Sequence, residues 1–261
     1  MKTLIVIPAR HASTRFPGKP LALIAGEPML ARTAAVARAV GDYVVATDDA
    51  RIEAFCEERG LPCVMTDPAL PSGSDRARAA ASLFAPDADI VVNLQGDAPF
   101  TPPSYIQACL DALDADAGAD IATPVVRLSW EALDALREAK TTTPFSGTTA
   151  IVGAGGRAHW FSKRILPAIR KEAALRERSP RSPVLQHVGL YAFRRNALER
   201  FTALPESAYE AIEGLEQLRA LEAGMRIACA RVEPHPMSQA GIDTPEDLAR
   251  AEARLAALGL S

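Results

Sequence analysis

The chain has 261 residues, a formal net charge of −3, 48% hydrophobic side chains and 5% aromatic ones. That is enough aliphatic surface for one large α/β domain, or for a core with a smaller lobe, and it excludes a disordered chain. The slightly acidic balance disfavours a general nucleic-acid binder, so any basic feature has to be local.

Leu4-Ile5-Val6-Ile7 is an uninterrupted apolar run closed by Pro8, the pattern of a strand buried on both faces. A polar loop follows, carrying Arg10, Arg15 and Lys19 beside Ser13, Thr14 and Gly18. Loops at the carboxyl ends of strands are where α/β sheets bind ligands. Three cations in ten positions ask for an anion with several oxygens, and a polyphosphate is the simplest candidate. The loop is neither a P-loop, since Pro20 follows Lys19 and no Gly lies five residues before Gly18, nor a G-x-G-x-x-G fingerprint. Side-chain cations are therefore expected to hold the phosphates, helped by backbone amides.

Helical spacing over 28–40, a short strand at 43–46, a helix over 50–59 stopped by Gly60 and a strand at 62–65 continue the chain. Such alternation implies a parallel sheet. Ser72 or Ser74 can cap a helix reaching Phe84. Ile90 to Leu94 reads as a central strand ending in Gln95-Gly96-Asp97, and an acidic residue there is well placed to hold Mg²⁺ against a phosphate. A helix over 103–115 and a strand over 121–126 follow.

From about Ser129 the rhythm changes to a helix over 131–140, a Thr- and Gly-rich stretch over 141–154, an alternating segment over 157–161, and a helix then an exposed loop over 171–183. This section suits an antiparallel lobe. A strand over 185–195 would put His187, Gly189, Tyr191 and Phe193 on one face, making His187 with Tyr191 a candidate substrate wall. A helix over 214–223, a strand over 227–232 and a last helix after the Thr244-Pro245 cap complete the chain. Asp243 lies just before that cap and can point inward.

The four cysteines, Cys56, Cys63, Cys109 and Cys229, form no C-x-x-C pair and read as reduced core thiols of a cytoplasmic protein. The first residues do not read as a signal peptide, and no segment is long enough to span a bilayer.

In chain order, Pro8-Ala9-Arg10 with Ser13, Arg15, Pro17 and Lys19, then Thr47-Asp48-Asp49, Ser72-Gly73-Ser74-Asp75-Arg76, Gln95-Gly96-Asp97, His187-Val188-Gly189-Leu190-Tyr191, Leu215-Glu216-Gln217-Leu218-Arg219 and Gly241-Ile242-Asp243-Thr244-Pro245 resemble the 3-deoxy-manno-octulosonate (Kdo) cytidylyltransferases. The resemblance spans nearly the whole chain. It implies a glycosyltransferase-A-like fold of the nucleotide-diphospho-sugar transferase kind: a mainly parallel central sheet with flanking helices plus a smaller antiparallel lobe. The expected division is a nucleotide-binding core at 1–128 and 196–261 and a lobe at 129–195 for sugar binding and dimerisation.

The implied reaction is CTP plus Kdo giving CMP-Kdo and diphosphate, with Mg²⁺, for lipopolysaccharide or capsule, in a homodimer. By position, Arg10 and Lys19 would hold the phosphates, supported by Ser13 and Arg15. Pro8, Ala9, Ser72, Gly73 and Arg76 would lie near the cytosine, with Gln95 close to the nucleotide. Asp97 and Asp243 would ligate Mg²⁺, and Lys163, His187, Tyr191, Glu216 and Gln217 would line the sugar pocket. The sequence departs from the family pattern at Ala98, where Glu is usual, at Ser74, where Thr is usual, and at Lys163, where Arg is usual. Lys163 keeps the charge but lacks the two-pronged geometry. A related acid sugar, such as a sialic acid or amino-Kdo, and a non-catalytic nucleotide-sugar binder are the alternatives.

Overall fold

The structure is a computed structural model that describes residues 1–12, 16–237 and 241–259. In chain order its elements are β1 (Thr3–Ala9), a 3-10 turn (Lys19–Leu21), β2 (Leu23–Ile24), β3 (Glu27–Pro28), α1 (Met29–Arg38), β4 (Tyr43–Thr47), α2 (Ala50–Arg59), β5 (Cys63–Met65), α3 (Gly73–Phe84), β6 (Ile90–Leu94) and α4 (Pro103–Ala115). There follow β7 (Ile121–Ser129), α5 (Trp130–Thr142), β8 (Thr148–Val152), β9 (Ala158–Ser162), α6 (Glu172–Arg178), β10 (Arg181–His187), β11 (Leu190–Arg194), α7 (Arg195–Ala203), α8 (Ala208–Glu213), α9 (Gln217–Glu222), β12 (Ile227–Val232) and α10 (Pro245–Ala257). None of the helices among the described residues is long and apolar enough to cross a membrane.

Two compact units divide the chain. The first comprises 1–107, 189–202 and 235–261, and the second 108–188 and 203–234. These differ from the expected core and 129–195 lobe. β7, placed in the core by its sequence position, hydrogen-bonds in parallel to β12 and antiparallel to β10, and that pairing groups it with the second unit.

In the first unit β5, β4, β1 and β6 run parallel, and β11 closes on β6 antiparallel. Leu4 to Ile7 and every residue of β6 are buried, as continuous apolar strands covered on both faces require. Helix α3 packs across β1, β4 and β6. Ser72, rather than Ser74, caps it: its Oγ accepts the Asp75 amide at 3.1 Å, while Ser74 is fully buried and accepts from Asn93 Nδ2 at 3.2 Å. Helix α10 starts with the expected cap, Thr244 Oγ1 accepting the Asp247 amide, and Pro245 occupies its first turn.

In the second unit β7 lies between β12 and β10, and β8 and β9 follow beyond β10 in antiparallel order. Leu128, Trp130, Leu133 and Val184 form a local apolar core. Three readings are corrected. The exposed loop expected to reach Pro183 gives way to β10 from Arg181, with Ser182 and Val184 buried. The strand expected over 185–195 is two strands, broken at Val188-Gly189: β10 pairs with β7 and β8, whereas β11 from Leu190 pairs with β6. His187 and Tyr191 therefore stand on different strands and share no period-two face. Gly214 ends α8 with φ 62° rather than opening a helix, and α9 begins at Gln217.

Candidate functional site

Parallel strands deliver their following loops to one edge of the sheet. In the first unit those are Arg10 after β1, Asp48 after β4 and Gln95-Gly96-Asp97 after β6. Gly96 lets the β6 turn lie against β1: a Cβ there would sit 2.6 Å from Pro8 O. Gly18, at φ 72°, turns the basic loop so that its amide donates to His11 O at 3.0 Å and Lys19 opens the 3-10 turn.

The result is a cleft of about 250 Å³. Pro8, Ala9, Arg10 and Lys19 line it from the first loop, Ser72, Gly73 and Arg76 from the start of α3, and Gln95, Gly96 and Asp97 from the β6 turn. The nucleotide residues expected from the sequence that fall within the described residues thus come together. Ser13 and Arg15 lie outside the described residues.

Two carboxylates converge on one ammonium. Lys19 Nζ donates to Asp97 Oδ2 at 2.8 Å and to Asp243 Oδ1 at 3.2 Å. The two acids are brought together by main chain and by apolar burial. The Ile242 amide donates to Asp97 O at 2.9 Å, and the Ile242 side chain is buried with Ile24, Met29, Met237 and Leu255. Two carboxylates around a point occupied by a cation suit a hard divalent ion. Mg²⁺ is usually held by one or two carboxylates, its other positions going to substrate phosphates and water.

Arg76 is completely buried, and burial lowers its pKa while Asp48 opposes that shift. Its Nη2 donates to Asp48 Oδ2 at 2.6 Å and its Nη1 to Thr66 Oγ1, leaving Nε without a protein partner. Asp48 Oδ2 also lies 3.8 Å from Arg10 Nε, and Arg10 Nη2 donates to Leu70 O. Asp48 is thus a shared counter-charge for two guanidiniums at the cleft. Gln95 Nε2 donates to Asn93 Oδ1 at 3.3 Å, and the Gly73 Cα faces the Gln95 amide. From sequence, Asp48 is named only within the Thr47-Asp48-Asp49 motif, without a role, and Thr66 and Asn93 are not singled out. The available signals were the acidic doublet after β4 and a polar residue inside an otherwise apolar strand.

Of the residues expected at the sugar, Lys163, His187, Glu216 and Gln217 belong to the second unit and Tyr191 to the first. His187 is half-buried: its Nε2 is 2.8 Å from Thr123 Oγ1 and its ring meets Phe161 edge-on at 5.0 Å. Burial, with Lys163 nearby, holds its pKa down at about 3, so the imidazole is neutral. The main chain of Lys163 is gripped on both sides. Its amide donates to Glu213 Oε2 at 2.7 Å, and its carbonyl accepts from Lys140 Nζ at 2.7 Å. Glu213 also accepts from Ser162 Oγ at 2.8 Å. Gln217 is buried on α9, and Tyr191 is buried on β11 against Phe193.

Residues 4–227 match the family model described as cytidylyltransferase. The chain is 43% identical over 262 residues to the 3-deoxy-manno-octulosonate cytidylyltransferase of Maricaulis maris, covering 99% of each. It is 45% identical over 261 residues to the enzyme of the same name from Methylorubrum populi, covering 97% of this chain and 96% of that one. Among solved structures it matches CMP:2-keto-3-deoxy-manno-octonic acid synthetase complexed with CTP, with a TM-score of 0.85, 35% identity and 100% coverage of both chains. A cytidylyltransferase from Leptospira borgpetersenii matches at a TM-score of 0.59 and 17% identity, covering 98% of this chain and 87% of that one; that match bears on the fold alone.

Proposed function

The chain belongs to the cytidylyltransferases, and among them to the 3-deoxy-manno-octulosonate enzymes, and on that premise we propose that it joins CTP to Kdo to give CMP-Kdo and diphosphate. The observation that carries the mechanistic reading is the Lys19 ammonium within hydrogen-bond distance of both Asp97 and Asp243, in a cleft that Arg10 also lines.

Phosphoryl transfer of this kind rests on positioning and on cationic stabilisation more than on covalent chemistry by the protein. Arg10 and Lys19 orient the triphosphate and balance the charge that builds on the departing diphosphate. The start of α3, capped by Ser72 and opened by Gly73, presents backbone amides and the positive end of the helix to the nucleotide. Arg76 and Asp48 hold that wall rigid. Asp97 and Asp243 would hold Mg²⁺, which supplies Lewis acidity at a phosphate oxygen and at the attacking hydroxyl. The anomeric hydroxyl of the sugar attacks the α-phosphorus in line and diphosphate leaves; Lys163 would receive the sugar carboxylate, and His187, Glu216 and Gln217 of the same unit are the further candidate contacts. The neutral His187 suits a packing and hydrogen-bonding part rather than a cationic one. A homodimer working in the cytoplasm and supplying Kdo to lipopolysaccharide completes the reading.

The test is diphosphate release from CTP and Mg²⁺ against a panel of Kdo, a sialic acid and amino-Kdo. Turnover is expected to be fastest with Kdo. A higher rate with another acid sugar reassigns the substrate, and tight CTP binding with no turnover on any of them overturns the enzymatic reading.

A further inference from the structure

Lys19 occupies the point that the proposed function reserves for a divalent ion. Its Nζ lies 2.8 Å from Asp97 Oδ2 and 3.2 Å from Asp243 Oδ1, and its side chain, at 14% exposure, is more enclosed than either acid. All three residues belong to one compact unit, so the arrangement is internal to it. Two carboxylates this close need a counter-charge, and the Lys19 ammonium supplies it. The same side chain lines the cleft beside Arg10, where a triphosphate would offer it a denser group of anionic oxygens.

We propose that Lys19 is a gate for the metal: without nucleotide it neutralises Asp97 and Asp243 and excludes Mg²⁺, and the phosphates of a bound nucleotide draw it away and open the carboxylate pair. This rests on the reading of Asp97 and Asp243 as the metal-holding pair. Three features favour a gate over a static ion pair. Lys19 stands on a 3-10 turn anchored by the buried Pro20 and shaped by Gly18, so its backbone is fixed while its four-carbon stem can swing. Both acids keep an opening to solvent, with side chains 29% and 40% exposed, through which an ion can enter once the ammonium leaves. Mg²⁺ gives up its water reluctantly, and two carboxylates already neutralised by an ammonium offer it little to replace that water. The coupling is reciprocal, so metal and nucleotide each raise the other's affinity by the same factor.

The experiment uses the full chain without nucleotide and Mn²⁺ as the probe, following unbound Mn²⁺ by electron paramagnetic resonance and the unfolding midpoint with and without the ion. Wild type is expected to bind Mn²⁺ weakly and to show no rise in midpoint. Lys19→Met and, independently, Lys19→Gln are expected to bind about tenfold more tightly or better and to gain midpoint from Mn²⁺, while Lys19→Arg stays weak. The gain should vanish in Lys19→Met combined with Asp97→Asn. Unchanged affinity in a cooperatively folded Lys19→Met or Lys19→Gln protein overturns the gate, as does a gain that survives Asp97→Asn. If neither variant folds, a rise in the wild-type midpoint with Mn²⁺ alone overturns it and the absence of one supports it. Failure of the underlying metal reading looks different: wild type and Asp97→Asn would then bind Mn²⁺ equally in the presence of CTP.

Discussion

The main-chain amide of Ile242 donates to the carbonyl oxygen of Asp97 at 2.9 Å. That bond joins the segment before α10 to the turn after β6, and the Ile242 side chain, 2% exposed, locks the joint into an apolar cluster. Burying such a side chain is worth about 1.5–3 kcal/mol. A hydrophobic anchor therefore sets the placement of two acids that are far apart in sequence, and Lys19 reaches both because the anchor has aligned them.

If that pair serves the reaction, neutralising either member should remove most of the activity without unfolding the chain. Asp97→Asn and Asp243→Asn are each expected to lower diphosphate release by about 10²–10³-fold, the usual loss when one preorganised charge-stabilising element goes. Both side chains are partly exposed, so the unfolding midpoint should move little. Turnover close to wild type in either variant removes that residue from the site.

The close approach of the β6 turn to β1 gives a second test. A Cβ at residue 96 would lie 2.6 Å from Pro8 O, a main-chain atom that cannot rotate away. Gly96→Ala should cost about 1–3 kcal/mol, the range for forcing extra volume into a packed site, and raise the KM for CTP as Pro8 and Asp97 are pushed apart. Gly41→Ala is the control, because a Cβ there meets nothing within 4 Å. Equal stability and equal KM in the two variants would show that the turn has room to relax.

His187 carries a pH signature. Its ordinary pKa of 6.5 is held down to about 3 by burial, and the positive charge of Lys163 pushes the same way. The unfolded chain takes up a proton on this residue below about 6.5, and the folded chain does so only near 3. The associated stability is fully present above 6.5 and is lost as pH falls toward 3, by at most about 1.4 kcal/mol per pH unit. Urea midpoints of wild type and His187→Gln should therefore converge as pH drops from about 7 to about 4.5. A constant gap between the two would show that the imidazole is protonated in the folded state.

Much of the cleft's lining is legible in the sequence because its parts are contiguous motifs whose chemistry is local. Arg10 and Lys19 flank a turn-forming Gly18, Ser72 caps a helix, and Gly96-Asp97 ends an apolar strand. Asp48, quoted only within the Thr47-Asp48-Asp49 motif, and Thr66 and Asn93 carry no role in the sequence reading because each acquires it from a side chain on another element: Arg76 for the first two, Ser74 for the third. The break at Val188-Gly189 is hidden because no residue type there marks the change of partner strand, from β7 and β8 for β10 to β6 for β11. The extent of the second unit was equally hidden, since β12 joins β7 by a pairing that spans about a hundred residues of sequence. Glu213 and Lys140 grip backbone atoms of Lys163, an interaction that side-chain identity does not encode.

That grip makes Lys163 a sharp test of substrate recognition. The residue's amide and carbonyl are each held at 2.7 Å, so a substitution there changes the side chain on a fixed main chain. If Lys163 receives the sugar carboxylate, Lys163→Arg keeps the charge and adds a planar fork able to make two parallel bonds. The expected result is a lower KM for the acid sugar, by up to about tenfold for one added charge-assisted bond, with the KM for CTP unchanged. Lys163→Met should raise the sugar KM and likewise spare CTP. Equal effects of both variants on the two KM values would mean that residue 163 supports the second unit without meeting the sugar.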